Sequence, residues 1–569
     1  MKLFLRLLVL RVFFLLVPSQ VTAGVAWDAE VCTSQCMIHL KALGKSMVKG
    51  EVKEIIADEL FVSEGSYGIL RPVRLERKSC GGLQVIDGVF PDEQLAMPIT
   101  HAVSVLERWI EGFDVERTSY KIIGVEKTDA ATVSTRVIAG LYGHDSEGRR
   151  GERHGTWLVD WDISGESPRI KSLKGLSYTA SYLNKEALLQ DKTAYLLAEA
   201  PDAWMQLRTS AVEWLQQMNN EVAHTQNFYQ GLAVADVNGD GLEDVFICQG
   251  DGLLNRLLVQ TPAGAVNDVT KTAGLDLLDR TRAAVFGDLD NDGDADLVLA
   301  TYKALLVYRN DGTGKFSREL ALMDYFPSLF SLSLADYDQD GLLDLYACNY
   351  YKNEHKTRFA TRPAPDLFQD ATNGGENKLF RNTLTGGKLS FEDATGKAGL
   401  NKNNHHFSLA SVWHDYDDDG DVDLYVANDF GLNNLYQNDD GVFTDVIGEA
   451  KAQDQNFSMN ATWGDWNRDG LSDLYVSNMF SSAGKRVTFQ KSFKRGTTED
   501  KRRKIQHLSR GNSLFTQRQG QPFKEEAYDQ RVWLGRWAWS AQFADIDHNG
   551  WQDLMVANGY ITSKKKDDL

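Results

Sequence analysis

A nine-residue stretch from Asp288 to Asp296, reading DLDNDGDAD, constrains the fold of this 569-residue chain more than any other feature. Aspartates occupy positions 1, 3, 5 and 9 of the stretch, and Gly293 at position 6 allows the backbone to turn sharply. Carboxylates about 4 Å apart repel one another by roughly 1 kcal/mol per pair in water, and by more at lower dielectric. Such a cluster needs a counter-charge, so the stretch predicts a bound cation. Its candidate ligands are Asp288, Asp290, Asp292 and Asp296.

Calcium suits this loop best. Oxygen-only ligands indicate a hard cation, and Ca²⁺ accepts about six to eight oxygens in a flexible geometry, whereas Mg²⁺ keeps its waters and demands a near-octahedron. The backbone carbonyl of Asp294 and water would complete the coordination shell. An EF-hand loop ends on a bidentate Glu and lies between helices, but here the last acid is at position 9 and the flanks are β-type runs. We therefore expect the ion to stabilise a β-hairpin.

Close copies of the stretch recur through the second half of the chain and indicate a repeat architecture. The copies start about 50 residues apart, with two longer intervals, and such a period is typical of a propeller or a similar array. Each unit contains a strand such as GLAVAD, the acidic loop, a strand such as DLYVAN, and runs such as NNLYQN and FTDV. Four short strands per unit match one blade. We predict a mainly β fold, a β-propeller with six or seven blades, preceded by a small α+β domain.

These motifs resemble the FG-GAP/VCBS repeat family, the calcium-loop propellers seen in integrin α subunits. The openings FGDLDNDG, LADYDQDG, HDYDDDG and GDWNRDG, with VAND and NNLYQN, look closer still to secreted bacterial proteins that often carry an ASPIC/UnbV module. The likeness spans about Gly231 to Tyr560. It implies up to six Ca²⁺, bound more weakly where an Asn replaces an Asp. Beyond the loop described above, the implied ligands are Asp236, Asn238, Asp240, Asp244, Asp336, Asp338, Asp340, Asp344, Asp415, Asp417, Asp419, Asp423, Asp465, Asn467, Asp469, Asp473, Asp545, Asp547, Asn549 and Asp553.

The resemblance implies that residues 231–569 form the calcium-binding propeller, but the last unit departs from the pattern. The ASPIC/UnbV module does not follow its DLMVAN strand, so we expect this blade to lack its outer strands. Either the connector or an N-terminal strand could then close the ring.

The N-terminal residues indicate export. Residues 1–23 resemble a signal peptide, with basic residues before an apolar run and a small-residue cleavage site. No later segment has eighteen uninterrupted apolar residues, so we expect no transmembrane segment and a secreted, periplasmic or cell-surface protein. Weak extracellular calcium sites need about 0.1 to 1 mM calcium, which agrees with export. The formal charge of -19 argues against a nucleic-acid partner.

Residues 25–185 are predicted to form an α+β domain. Helical periodicity covers about 27–49 and 100–111, and four alternating strands follow within 120–178. Helices followed by a meander resemble the cone-shaped SnoaL-like or nuclear-transport-factor-like fold, whose members include small enzymes. No motif assigns a role to the acids and histidines available there, which are Asp58, His101, His144, Asp160 and Asp162.

A helical connector, 186–230, is predicted to bury an apolar stripe that includes Trp204 and Leu207 against the repeats. Cys248 and Cys348 occupy equivalent places in their units and are expected to be buried strand residues. In an oxidising compartment one disulfide is possible among the remaining cysteines, with the pairing open. They are Cys32, Cys36 and Cys80.

Two inserts, 351–376 and 480–511, expand two units at the same place and predict a walled groove. The second is strongly basic, which suits an anionic glycan or an acidic protein surface. Its basic residues are Lys485, Arg486, Lys491, Lys494, Arg495, Lys501, Arg502, Arg503, Lys504 and Arg510. An aromatic run contains Trp533, Trp537 and Trp539, which could either stack on sugars or pack in the core.

The favoured function is an exported calcium-binding propeller that recognises a protein or glycan, as in adhesion. No Ser-His-Asp, Cys-His, HExxH or glycine-rich phosphate motif is present, so we expect no enzyme. The alternatives are a polysaccharide-active or cone-fold enzyme and a structural component of an exported complex.

Overall fold

The computed structural model describes a subset of the chain, namely residues 29–53, 60–80, 82–91, 97–98, 101–183, 190–209, 213–214, 217, 231–250, 252–323, 328–352, 365–367, 370–490, 493–494 and 496–559. The predicted signal peptide, Asp58, Lys491, Arg495, much of the connector and part of the first insert lie outside these residues. The chain divides into two compact units. The first consists of Met1–Glu76, Asp87–Glu147 and Glu152–Ala180, and the second consists of Arg77–Ile86, Gly148–Gly151 and Ser181–Leu569.

The N-terminal region is an α+β fold. Its helices are α1 (Ala29–Lys49) and α2 (Ala102–Ile110), and its strands are β1 (Phe61–Tyr67), β2 (Arg74–Cys80), β3 (Leu83–Val89), β4 (Phe113–Lys127), β5 (Thr132–Asp145), β6 (Arg150–Asp162) and β7 (Arg169–Leu183). The sheet order is β2-β3-β7-β6-β5-β4, and β1 adds to β7 in parallel. Both helices and the four long strands match the sequence prediction. The short strands β1 to β3 were not predicted because RLERKSC in β2 has no apolar alternation.

The first core lies between the sheet and its helices. Both α1 and α2 pack against β4. Alternate residues of β6 face this core, and Trp157, Val159 and Trp161 are fully buried. Trp109 of α2 meets Trp157 edge-to-face, with ring centroids 5.3 Å apart. Buried residues at every second position of β6 and an apolar stripe along α2 therefore explain how this helix packs against the sheet.

The described residues of the second unit form five four-stranded antiparallel sheets and one two-stranded sheet. In chain order the strands are β8 (Leu232–Ala235), β9 (Asp244–Ile247), β10 (Arg256–Gln260), β11 (Val266–Asp268), β12 (Thr281–Gly287), β13 (Asp296–Thr301), β14 (Leu305–Asn310), β15 (Phe316–Met323), β16 (Leu329–Ala335), β17 (Asp344–Asn349), β18 (Lys378–Asn382), β19 (Phe391–Asp393), β20 (Ser408–His414), β21 (Asp423–Asn428), β22 (Asn434–Asp439), β23 (Val442–Asp445), β24 (Ser458–Gly464), β25 (Asp473–Asn478), β26 (Ser513–Arg518), β27 (Gln521–Glu525), β28 (Ala538–Ala544) and β29 (Asp553–Asn558).

Each sheet is built from consecutive strands, and neighbouring sheets pack face to face. The first strand of every sheet packs against the first strand of the next, from β8 through β12, β16, β20 and β24 to β28. No strand pairing joins the last sheet to the first within the described part of the chain. The mainly β prediction and the four strands per unit are confirmed, and the last sheet has two strands, β28 and β29, in the described residues.

The second strand of a sheet is buried on both faces because each face meets a different neighbour. In β13, Leu297 and Leu299 join the core shared with the first sheet, where Phe246 and Leu257 lie. The alternate residue Val298 joins the core shared with the third sheet. An apolar run without alternation is therefore the expected pattern for such a strand.

Among its described residues the second unit also has the short helices α3 (Thr193–Leu196), α4 (Pro201–Arg208), α5 (Ile447–Ala450), α6 (Ser482–Thr488) and α7 (Glu499–His507). Trp204 and Leu207 of α4 pack against Leu258 and Val266 of the first sheet, as the apolar stripe predicted. The second insert, between β25 and β26, carries α6 and α7. None of the described helices is long and apolar enough to cross a membrane.

Four cysteines are described as free and buried, namely Cys32, Cys36, Cys248 and Cys348. Cys32 and Cys36 lie one turn apart on α1 and are free, so no bridge joins them. Cys248 and Cys348 are fully buried, as their positions after the acidic loops predicted.

Candidate metal centres

Each acidic loop joins the first strand of a sheet to the second. In the second sheet, Asp288 Oδ1 accepts the Asp292 N–H at 3.1 Å, and Oδ2 accepts the Gly293 N–H at 3.0 Å. The backbone is left-handed at position 4, where Asn291 has φ 57°, and at position 6, where Gly293 has φ 96°. The loop backbone therefore wraps around the position-1 carboxylate, which accepts two of its N–H groups. The same closure involves Asp236, Asp336, Asp415, Asp465 and Asp545.

The position-9 aspartate fixes the loop to the sheet. Asp296 is fully buried; its Oδ2 accepts the Leu289 N–H at 3.1 Å, and its Oδ1 accepts the Asn310 N–H of the third strand at 2.9 Å. One carboxylate thus connects the loop, the second strand and the third strand. Third-strand N–H groups also reach the equivalent aspartates, which are Asp244, Asp344, Asp423 and Asp473.

Carboxylates of positions 1, 3 and 9 converge in four of the six loops. One oxygen from each lies within 4.8 Å of the others in the groups Asp288, Asp290, Asp296; Asp336, Asp338, Asp344; Asp415, Asp417, Asp423; and Asp545, Asp547, Asp553. In the first and fifth loops position 3 is an amide, Asn238 and Asn467, as the sequence shows.

The aspartates at position 5 also hold the loop backbone. The Asp292 side chain accepts the Asp294 N–H at 3.1 Å, and Asp340 and Asp419 make the equivalent bond. The converging groups do not include these residues. Their carboxylates shape the turn that follows the loop.

Burial and mutual repulsion leave the converging carboxylates in need of positive charge. Burial, together with the nearby Asp290 and Asp292 carboxylates, raises the pKa of Asp296 to about 6. Burial likewise raises the pKa of Asp344 to about 7. Oδ1 of Asp290 and Oδ1 of Asp338 are buried and accept no hydrogen bond. A divalent cation coordinated by these oxygens would fit the loop, because it supplies the missing partner and favours the ionised acids.

Third-strand side chains reach the loops, and the sequence interpretation did not identify them. Arg381 pairs with Asp338 and, at 2.5 Å, with Asp340, and Arg309 pairs with Asp290 at 2.9 Å. At the same place in the fourth sheet stands neutral Gln437, which donates to Asp417 at 2.6 Å. The second and third loops therefore carry their own competing cation, and the fourth does not.

Replacing Arg381 with glutamine is expected to raise the calcium affinity of the third loop roughly tenfold, because removal of one positive charge beside the ligands strengthens cation binding. Calorimetric calcium titration measures the change. Gln437→Arg is the matched reverse variant, and it should weaken one site by a similar factor. An unchanged titration in both variants would contradict this electrostatic role.

A third-strand amide links consecutive loops. Asn438 Nδ2 donates to the Val422 carbonyl of its own loop at 3.2 Å and to the Tyr337 carbonyl of the preceding loop at 2.9 Å. Asn382 bridges Leu343 and Leu289 in the same way. The final Asn of the NKLFRN and NNLYQN runs was the available sequence signal for this role.

The candidate residues of the N-terminal region form no comparable cluster within the described residues. His144 pairs with Glu116 at 3.1 Å, and Asp162 pairs with Arg169 at 3.0 Å. His101 is exposed and immediately precedes α2, and Asp160 lies on β6. These contacts do not indicate a catalytic or binding role for any of the four residues.

The second insert is anchored to the sheets by its own polar residues. Lys485 Nζ lies 4.6 Å from the Trp533 ring centroid and 5.0 Å from that of Tyr528, and Tyr528 stacks on Trp533 at 4.8 Å. His507 of α7 contacts the buried Asp454 at 3.0 Å. Trp533 therefore packs against other residues of the protein, which agrees with the core-packing interpretation of the aromatic run. Trp537 pairs with Met479 through an isolated bridge, and Trp539 lies on β28.

A family model for the FG-GAP-like repeat matches residues 236–299, 288–347 and 415–476, so the chain carries FG-GAP-like repeats. A comparison with curated protein sequences gave no match.

Solved structures similar to the chain include a ketosteroid isomerase-like protein from Erwinia carotovora atroseptica, which is 12% identical. The match covers 26% of this chain and 98% of that one, with a TM-score of 0.19. An NTF2-like protein of unknown function from Shewanella baltica OS155 is 10% identical over 27% of this chain and 98% of that one, with a TM-score of 0.17.

Proposed function

We propose that this chain is an exported calcium-binding β-propeller that recognises a protein or glycan ligand. The observation that carries the proposal is the repeated geometry of Asp296, Asp344 and Asp423, in which a buried carboxylate joins an acidic loop to two strands of its sheet. Calcium bound there would hold successive sheets in register. Sheets whose first strands pack in series are the arrangement that a propeller requires.

The ligand is proposed to bind at the end of the sheets opposite the calcium loops. The loops precede the second strands, whereas both inserts leave from the far ends of second strands, after β17 and after β25. On α7 of the second insert, Lys501 and Arg503 are exposed. These charges suit an anionic glycan or an acidic protein surface.

Replacing Lys501, Arg503 and Lys504 with serine is expected to weaken binding of a sulfated or uronic-acid glycan at least tenfold, because the sulfate or carboxylate groups of the glycan lose their counter-charges. Glycan-array binding in calcium, followed by titration of the strongest glycan, measures this. The matched control removes three exposed lysines from the sheets, Lys271, Lys315 and Lys388, and changes the net charge equally. Equal loss in both variants would show a general charge effect and contradict a site on the insert.

A further inference from the structure

The last described strand, β29, has the sequence of a buried strand, but several of its side chains are exposed to solvent. The β29 sequence DLMVAN differs from DLYVAN of β21 at one position. Every residue of β21 is buried, as in β13, β17 and β25. In β29, Met555 is 45% exposed, and Ala557 and Asn558 are exposed. Among the described residues, β29 pairs with β28 alone.

Two hydrogen-bonding groups of β29 lack the third-strand partner that their equivalents have. Asp423 Oδ1 accepts the Asn438 N–H, whereas the carboxylate of Asp553 accepts the Ile546 N–H alone in the described part of the chain. In two other sheets, the backbone N–H of the last residue of the second strand donates to the side chain of an Asn just before the third strand. The Asn428 N–H donates to Asn433 Oδ1, and the Asn478 N–H donates to Asn512 Oδ1, each at 2.8 Å. Asn558 has the same place in the last sheet.

The third strands that cover the other sheets share one sequence pattern. Four of the five begin with Asn, have a buried Leu two residues later and end with Asn or Gln. They read NRLLVQ from Asn255, NKLFRN from Asn377, NNLYQN from Asn433 and NSLFTQ from Asn512. The first Asn meets the end of the second strand, the Leu fills the core, and the N–H of the last residue meets the position-9 aspartate.

We propose that the β29 edge binds a strand of the form Asn-x-Leu-aromatic-Arg-Asn from a partner polypeptide. Such a strand would add antiparallel to β29, bury Met555 and donate to Asp553. The pattern calls for Arg at its fifth place because Arg309 and Arg381, at that place in their strands, pair with a position-3 acid, and Asp547 is the position-3 acid here.

A second copy of this chain is a poor source of the strand. Its four runs of this form already pair with their own second strands. An added strand at this exposed edge would extend the sheet as β22 extends β21.

Binding of a fluorescent synthetic peptide, Gly-Asn-Lys-Leu-Phe-Arg-Asn-Gly, to the full chain in calcium tests this proposal by fluorescence anisotropy. The peptide should bind at least tenfold more tightly than its scrambled form, and peptides with Leu→Ser or Arg→Glu should lose this advantage. Hydrogen exchange of 553–558 should slow when the peptide is added, while exchange in β13 stays unchanged. Equal binding of the scrambled peptide, or slow exchange in β29 before any peptide is added, would overturn the proposal. Glycan binding through the insert is measured separately, so either result stands alone.

Discussion

Removing calcium is expected to lower the midpoint of thermal unfolding of the second unit by about 20 °C. A tenfold excess of free calcium over the dissociation constant stabilises a folded site by about 1.4 kcal/mol. Six such loops would contribute about 8 kcal/mol, and each kcal/mol shifts the midpoint of a domain of this size by about 2–4 °C. The shift is large because each ion would bind carboxylates whose burial now opposes ionisation, such as Asp344, whose pKa burial raises to about 7.

Scanning calorimetry of the full chain measures this effect at about 1 mM calcium and in excess chelator. Magnesium at the same concentration is the control, because its octahedral preference suits these flexible loops poorly. The N-terminal unit has no such loop, so a transition that belongs to it should not move. Identical melting profiles with calcium and with chelator would contradict calcium binding by the loops.

The sequence predicted local features well. The acidic loops with the hairpins around them, the four strands of each of the first five units and the place of both inserts follow from short-range patterns such as DLDNDGDAD and DLYVAN. These features depend on backbone turns and apolar runs that neighbouring residues specify.

Contacts between distant residues were not predictable in the same way. Asn382 reaches Leu289, and Arg381 reaches Asp338, across 93 and 43 positions of the chain. No periodicity in either segment specifies such a pair, because strand pairing within the third sheet brings Arg381 to Asp338 and packing between sheets brings Asn382 to Leu289.

The aspartates at positions 3 and 9 of one loop are therefore expected to differ in what they stabilise. Asp344 is fully buried and accepts two backbone N–H groups, from Asn382 at 2.7 Å and from Tyr337 at 3.3 Å. Asp338 accepts from the Arg381 side chain and keeps one oxygen without a partner. We therefore expect the position-9 carboxylate to stabilise the sheet with or without a metal, and the position-3 carboxylate to contribute mainly to binding a metal.

Replacing Asp344 with alanine is expected to destabilise the second unit by about 3–5 kcal/mol even in chelator, because two buried N–H groups each lose an acceptor worth about 1–3 kcal/mol. Asp338→Ala should change stability by less than about 1 kcal/mol in chelator, since it also removes repulsion from Asp344. In calcium both variants should lose one ion. Guanidinium unfolding at about pH 8, where the Asp344 carboxylate is ionised, measures all four values. Equal destabilisation by the two variants in chelator would show that position 9 has no role of its own in the sheet.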